Sequence, residues 1–163
     1  MYKKSIKLLN TAIADELIAV HQYMYFHFHC DDQGYDLLAN IFKRTAMDEM
    51  QHVEIIAERI LFLNGEIQLK AGADVESIHE VKEMLEWARD SERGAIKDYN
   101  QAANKSATNS DSVTKRIFED LVAEEERHFD QYDTEYEKLL KFGERYLVLQ
   151  SLDTSAATPG STN

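Results

Sequence analysis

The chain has 163 residues, 44% hydrophobic and 29% charged, the balance of one globular domain with a substantial core. Thirty acidic residues against 18 basic ones leave a net charge of -12, which argues against nucleic-acid and anionic-membrane partners and suits solubility or cations. No apolar run is long enough to span a bilayer, the start MYKKSIKLLN has no cleavable apolar core, and the single cysteine, Cys30, excludes an intrachain disulfide, so a cytoplasmic protein is expected.

Apolar residues at three-four spacing predict a first helix from about Lys3 to Cys30, with the inner stripe Leu9, Ile13, Glu16, Val20, Tyr23, His27. DDQG makes a turn. A second helix from about Tyr35 to Leu63 carries Phe42, Thr45, Glu49, His52, Ile56 and Leu63. NGEIQLKAGADVE is a long crossover, and Ser77-Ile78-His79-Glu80 reads as a capping box that starts a third helix, with stripe Leu85, Ala88, Glu92, Ala95, Tyr99. SATNSDS is the next turn. The fourth helix, about Val113 to Lys141, has stripe Ile117, Leu121, Glu125, His128, Tyr132, Leu139 and stops at Gly143. ERYLVLQSL is a short fifth helix, and the polar end DTSAATPGSTN is expected to be disordered, giving a domain over residues 1–152 and a tail over 153–163. With no strand pattern and connections that run short, long, short, the expected fold is all-α. It is a four-helix bundle with one long crossover between the second and third helices.

Each of the four stripes is broken by ionisable residues: Glu16 on the first, Glu49 and His52 on the second, Glu92 on the third, Glu125 and His128 on the fourth. An unpaired carboxylate in a low-dielectric core is costly, and a shared cation removes that cost. Glu16 and Glu49 are 33 residues apart, as are Glu92 and Glu125, and the midpoints of the two intervals fall inside DDQG and ATNSD. In an antiparallel hairpin, residues equidistant from the turn lie at one height, so each pair faces across its own hairpin. Glu49 and His52 share a helix face, as do Glu125 and His128. Docking the hairpins puts four carboxylates and two imidazoles around one point, and two divalent cations balance the four glutamates. Oxygen and imidazole donors without a thiolate cluster suit iron or manganese. Glu49 and Glu125 would bridge; Glu16 with His52, and Glu92 with His128, would complete the two metals. Tyr23 and Tyr99, two turns beyond Glu16 and Glu92, are candidates to hydrogen-bond the ligating carboxylates.

A Glu from each of two helices and Glu-x-x-His from each of the other two is the pattern of ferritin-like di-iron carboxylate proteins. The stretches ADELIAVHQY around Glu16, DEMQHVEIIAERILFLNG around Glu49 and His52, and EEERH around Glu125 and His128 resemble the bacterioferritins. The resemblance covers most of residues 1 to 150. It implies that Glu16, Glu49, His52, Glu92, Glu125 and His128 are catalytic and metal ligands for two iron ions per subunit. Such a centre is a ferroxidase: Fe(II) is oxidised by O2 or H2O2 and stored as a ferric mineral inside a homo-oligomeric shell of about two dozen subunits, a 24-mer. It also implies that Met50, which follows the bridging Glu49 and projects off the di-iron face, binds the iron of haem b or a related porphyrin shared between two subunits. Spacing alone favours ordinary methionine packing at an irregular helix interface. A ferredoxin-type protein is the implied reductant.

Two departures from the family stand out. Arg44 occupies the place where some members have a histidine paired with the acid at Asp48, which puts that iron-transfer path in doubt. Gln33 stands where some have a tryptophan near the first turn. Two other functions share the ligand set or fold. A di-iron peroxidase of rubrerythrin type would need an electron-transfer domain with a Cys-x-x-Cys, which is absent from the sequence. A DNA-protecting miniferritin is disfavoured by the charge and by the complete ligand set within one chain. His21, His27 and His29 read as surface or interface residues and Cys30 as a small buried one. Gly94, inside the third helix at a cost of about 1 kcal/mol against alanine, suggests close approach of another helix or of the metal site.

Overall fold

A computed structural model describes residues 2–151. The described residues form α1 (Lys3–Asp32), α2 (Asp36–Phe62), α3 (Val81–Thr108), α4 (Ser112–Phe142) and α5 (Glu144–Gln150), with no strand among them. The expected tail over 153–163 lies outside the described residues. α1 packs along α2 and α3 along α4, and the two hairpins dock face to face with α5 across one end. This is the ferritin-like four-helix bundle that the sequence predicts.

Each of the first three helices stops in the same way. One residue adopts a left-handed backbone, and the amide after it bonds back to a carbonyl inside the last turn. The left-handed residues are Gly34 (φ 83°), Asn64 (φ 57°) and Ser110 (φ 57°). The closing bonds are Tyr35 N–H to Cys30 O at 2.8 Å, Gly65 N–H to Ile60 O at 2.9 Å and Asp111 N–H to Ser106 O at 3.0 Å. Asn64, not Gly65, therefore takes the strained conformation after α2. Gly65 is small for another reason: a Cβ there would lie 2.9 Å from Ile6 Cγ2 of α1.

The crossover between α2 and α3 runs the length of α1, held by side-chain amides. Asn10 donates to Glu66 O (3.0 Å) and accepts from Gln68 N–H (2.9 Å). Gln22 donates to Glu76 O (3.0 Å) and accepts from Glu76 N–H (2.7 Å). Between them Gly72 N–H reaches Ala14 O at 3.1 Å. Gln22→Leu leaves Glu76 N–H without its partner, whereas Glu76 O still accepts from Ile78 N–H. The substitution should cost about 1–3 kcal/mol, seen as a lowered denaturation midpoint and faster hydrogen exchange around Glu76.

The expected capping box does not form. α3 begins at Val81 behind Glu80, with no side-chain cap. Ser77–Glu80 instead stays outside the helix, because His79 is tied to the far end of α1. Gln33 Nε2 donates to His79 O (3.1 Å), Tyr25 Oη sits 2.7 Å from His79 Nε2, and the His29 and His79 rings lie 4.5 Å apart.

The buried apolar residues fall into two layers. One contains Tyr23, Phe26, Leu38, Phe42, Met84, Leu85, Tyr132 and Leu139. The other contains Leu9, Ile13, Val53, Ile56, Ile60, Phe118 and Leu121. Glu16, Glu49, His52, Glu92, Glu125 and His128 lie buried on the same four helix faces, at the heights between these layers. On α1 the inner stripe passes through Phe26 rather than the expected His27; His27 is half-buried, with Nδ1 2.9 Å from Ala39 O. Val20, Ala95 and Ile117 are likewise only half-buried.

Candidate metal centre

The six ionisable residues that interrupt the stripes converge inside the bundle. Glu16, Glu49, His52 and Glu125 offer ligand atoms all within 4.8 Å of one another, and so do Glu49, Glu92, Glu125 and His128. The two groups share Glu49 and Glu125 and differ in one Glu and one His each. All six residues are at most 4% exposed. His52 Nδ1 stands 2.8 Å from Glu49, 3.3 Å from Glu125 and 3.4 Å from Glu16. His128 Nδ1 stands 3.1 Å from Glu125, 3.3 Å from Glu49 and 3.9 Å from Glu92. Despite this crowding, His52 Nδ1 and Glu49 Oε2 have no partner in hydrogen-bonding geometry. Their lone pairs are aimed past each other, as donors around a common cation would be.

Charge is shared unequally among the six. Burial pushes the carboxyls of Glu16 and Glu92 well above the usual range, and repulsion from Glu49 adds to it. Glu49 and Glu125 suffer the same desolvation, but His128 and His52 hold them down, Glu125 to about 2. Desolvation works against both imidazolium ions, yet the facing carboxylates raise His52 strongly and bring His128 up to about 10. Glu16, Glu92, His52 and His128 thus hold their protons to higher pH than free groups do, and Glu49 and Glu125 lose theirs at lower pH. A cation bound to these groups would displace the protons they hold.

A family model described as the ferritin-like domain matches residues 6–147. Over 159 residues the chain is 37% identical to the bacterioferritin of Desulfovibrio desulfuricans, a match covering 98% of this chain and 86% of that protein. The chain belongs to the bacterioferritin family. A second bacterioferritin, from Brucella melitensis, is 33% identical over 94% of this chain and 96% of its own. Among solved structures, an X-ray structure of the D. desulfuricans bacterioferritin superposes with a TM-score of 0.90 at 35% identity. It covers 98% of this chain and 94% of that one, and that protein has a diiron site.

In this member of the bacterioferritins the tyrosines serve the opposite hairpin. Tyr23 of α1 donates to Glu92 of α3, and Tyr99 of α3 donates to Glu16 of α1. Burial raises both phenols, so each remains a proton donor to its carboxylate. The exchange ties the hairpins together at the height of the six residues. His128 is oriented from behind by Asp48. Asp48 Oδ2 lies 3.2 Å from His128 Nε2 and 2.9 Å from Arg127 Nη2. Partial burial disfavours the Asp48 carboxylate, but Arg127 and His128 outweigh it and lower its pKa. With Nε2–H donated to Asp48, Nδ1 is the nitrogen left to face the other ligands. The sequence signal for this role was the acid directly before Glu49, which resemblance linked to an iron-transfer pair.

The centre is reached through a cavity of about 210 Å3 between α1 and α3 that includes Glu16, Glu49, Glu92 and Glu125 and has Asp15, Asp90 and Asp98 in its lining. Gly94 is part of this wall, and beyond its own turn of helix backbone no atom of the described residues lies within 4 Å of where its Cβ would be. The expected close approach of another helix at Gly94 is absent within the chain. Gly94→Ala should therefore stabilise α3 by about 1 kcal/mol, read as a higher melting temperature. Met50 is 38% exposed, beside a Glu49 that is 1% exposed, so the two adjacent side chains point to different surroundings. Cys30 is buried with Sγ 3.6 Å from Met84 Sδ, and desolvation lifts its thiol to about 12, which leaves it protonated and unreactive.

Proposed function

We propose that the chain is the subunit of an iron store and that its buried centre is a ferroxidase. The observation that carries this reading is the pair of overlapping four-residue groups sharing Glu49 and Glu125, with His52 Nδ1 and Glu49 Oε2 lacking hydrogen-bond partners in the dry interior. Glu16, Glu49, His52 and Glu125 would hold one iron and Glu49, Glu92, Glu125 and His128 the other. Iron held there would supply the electrons that reduce O2 or H2O2. The chain's own part is to supply an anionic, dehydrated cage. Tyr23 and Tyr99 fix the terminal carboxylates, and Asp48 fixes the His128 ring. The aspartates at the mouth between α1 and α3 raise the local concentration of Fe(II), the substrate. The ferric product is stored as mineral inside a homo-oligomeric shell, in keeping with the family. Mixing the purified protein with Fe(II) in air tests this: many iron atoms per chain should be oxidised and retained in a particle of several hundred kDa. A monomer that never mineralises iron would refute it.

Met50 serves a second metal in this reading. Supported by the bacterioferritin relationship and by its exposure beside a buried Glu49, one Met50 from each of two subunits ligates the iron of haem b or a related porphyrin. Met50→Leu should remove the Soret band of protein supplied with porphyrin and leave iron oxidation within about twofold, since Met50 is not among the six converging residues. A wild type without a Soret band would leave Met50 as a packing residue. The reductant that reopens the store is a ferredoxin-type protein.

A further inference from the structure

The centre has a second neighbour besides the acidic mouth. On the other side of the bundle, a cavity of about 440 Å3 between α2 and α4 is lined by Lys43, Arg44, Asp48, Arg127 and Gln131, together with Thr45 and Met47. A further concavity along α2 has Asn40, Lys43 and Arg44 in its wall, so these two cations stand between two hollows. Arg127 divides its guanidinium between Asp48 and Glu124, each at 2.9 Å, whereas Lys43 and Arg44 enter no ion pair among the described residues. In a chain with 30 acidic and 18 basic residues, two unanswered cations and a third at the edge of one hollow form a local reversal of charge.

The carboxylate in the floor does not cancel this reversal. Asp48 Oδ2 already accepts from Arg127 Nη2 and lies 3.2 Å from His128 Nε2, so its charge is partly offset from inside the protein. Beside Asp48, Thr45 and Met47, the lining is three cationic residues and an amide: Lys43, Arg44, Arg127 and Gln131. Guanidinium forks match the paired oxygens of a tetrahedral oxyanion, and a lysine adds mobile positive charge. The hollow is concave and local, which favours a small anion over a nucleic-acid backbone, and the net charge of -12 repels the latter.

We propose that this cavity is an inorganic phosphate site set back to back with the metal centre. Asp48 is its floor and also touches His128, so one residue separates the bound anion from the six converging side chains. Resting on the ferroxidase reading, the site gives phosphate a place on the α2/α4 side, where it can pair with ferric ions leaving the centre. The acidic mouth between α1 and α3 and this basic hollow then sort cations and anions to opposite sides.

Phosphate titration of the assembled, metal-free protein at low ionic strength, by calorimetry, tests the site. The comparison is wild type against Lys43→Gln/Arg44→Gln. Both changes are at exposed positions outside the six converging residues. Wild type should show one saturable site per chain that weakens as salt is added, and the double variant should bind about tenfold more weakly. Co(II) uptake, measured on the same samples, should stay at two ions per chain in both. No saturable phosphate binding by wild type, or equal affinity in the two proteins, overturns the proposal. Failure of Co(II) uptake would instead count against the ferroxidase reading, which the phosphate titration of metal-free protein does not depend on.

Discussion

Replacing both shared carboxylates, Glu49→Gln with Glu125→Gln, should abolish metal-induced stabilisation and slow Fe(II) oxidation by more than the ~10–100-fold that loss of an outer-shell partner costs. These two residues belong to both four-membered groups, so neither metal position survives intact. In wild type, a divalent ion at a hundredfold excess over its dissociation constant adds about 2.7 kcal/mol to stability. For a chain of this length that is a rise of about 5–10 °C in melting temperature. The double variant should show no such rise. The size of the effect depends on pH. His52 and His128 have raised pKa values in the metal-free fold, so their contribution is full below about 6.5, the unfolded value, and fades as pH climbs through about 10 for His128. Glu16 and Glu92 are raised as well, and they add to the loss from an unfolded value of 4.5 upward. Metal binding releases these protons and strengthens in the same direction. The gap in melting temperature between metal-loaded and metal-free protein should therefore widen from pH 6 to pH 9. A gap that narrows contradicts the proton displacement described above.

Arg59→Met is the second large effect, and it lies away from the centre. Arg59 on α2 is 9% exposed and Asp111, ahead of α4, is 3% exposed. Arg59 Nη2 meets Asp111 Oδ1 at 2.6 Å, and Arg59 Nε donates to Thr114 Oγ1 at 3.0 Å. Asp111 also caps α4, accepting from Thr114 N–H (3.2 Å) and from Thr114 Oγ1 (2.7 Å). One carboxylate thus joins the end of one hairpin to the start of the last long helix. The network holds Asp111 below its usual range although desolvation opposes it. Removing the arginine leaves that buried charge without its cation, a loss of about 3–5 kcal/mol. The melting temperature should fall by about 6–20 °C in calorimetry, with two Co(II) per chain retained. Arg59→Met/Asp111→Asn should recover part of the loss by removing the stranded charge while keeping an N-cap side chain. If the double variant is less stable than Arg59→Met by the full cost of a second independent lesion, the two residues are not acting as a pair.

The helices and the six converging residues were readable because both rest on periodicity. Three-four spacing sets each inner face, and the equal 33-residue intervals set the height of Glu16 against Glu49 and of Glu92 against Glu125. What the pattern could not carry are contacts between distant segments. Ser77–Glu80 has the letters of a capping box, but Gln33 and Tyr25, far back in the chain, decide its conformation. The exchange of Tyr23 and Tyr99 between hairpins depends on side-chain reach across the bundle, which position along one helix does not reveal. Arg59 looks like a surface residue near a helix end until Asp111 is brought to it. Met50 is the opposite case: spacing turns it off the inner face and structure exposes it, but its porphyrin role is argued from family relationship.

The most direct measurement is an anaerobic titration of metal-free protein with Fe(II), or with Co(II) as a spectroscopic stand-in. The expected result is a sharp break at two ions per chain, accompanied by proton release and lost in Glu49→Gln/Glu125→Gln. A break at one ion, no break, or an unchanged titration in the double variant would contradict a two-metal centre built from Glu16, Glu49, His52, Glu92, Glu125 and His128.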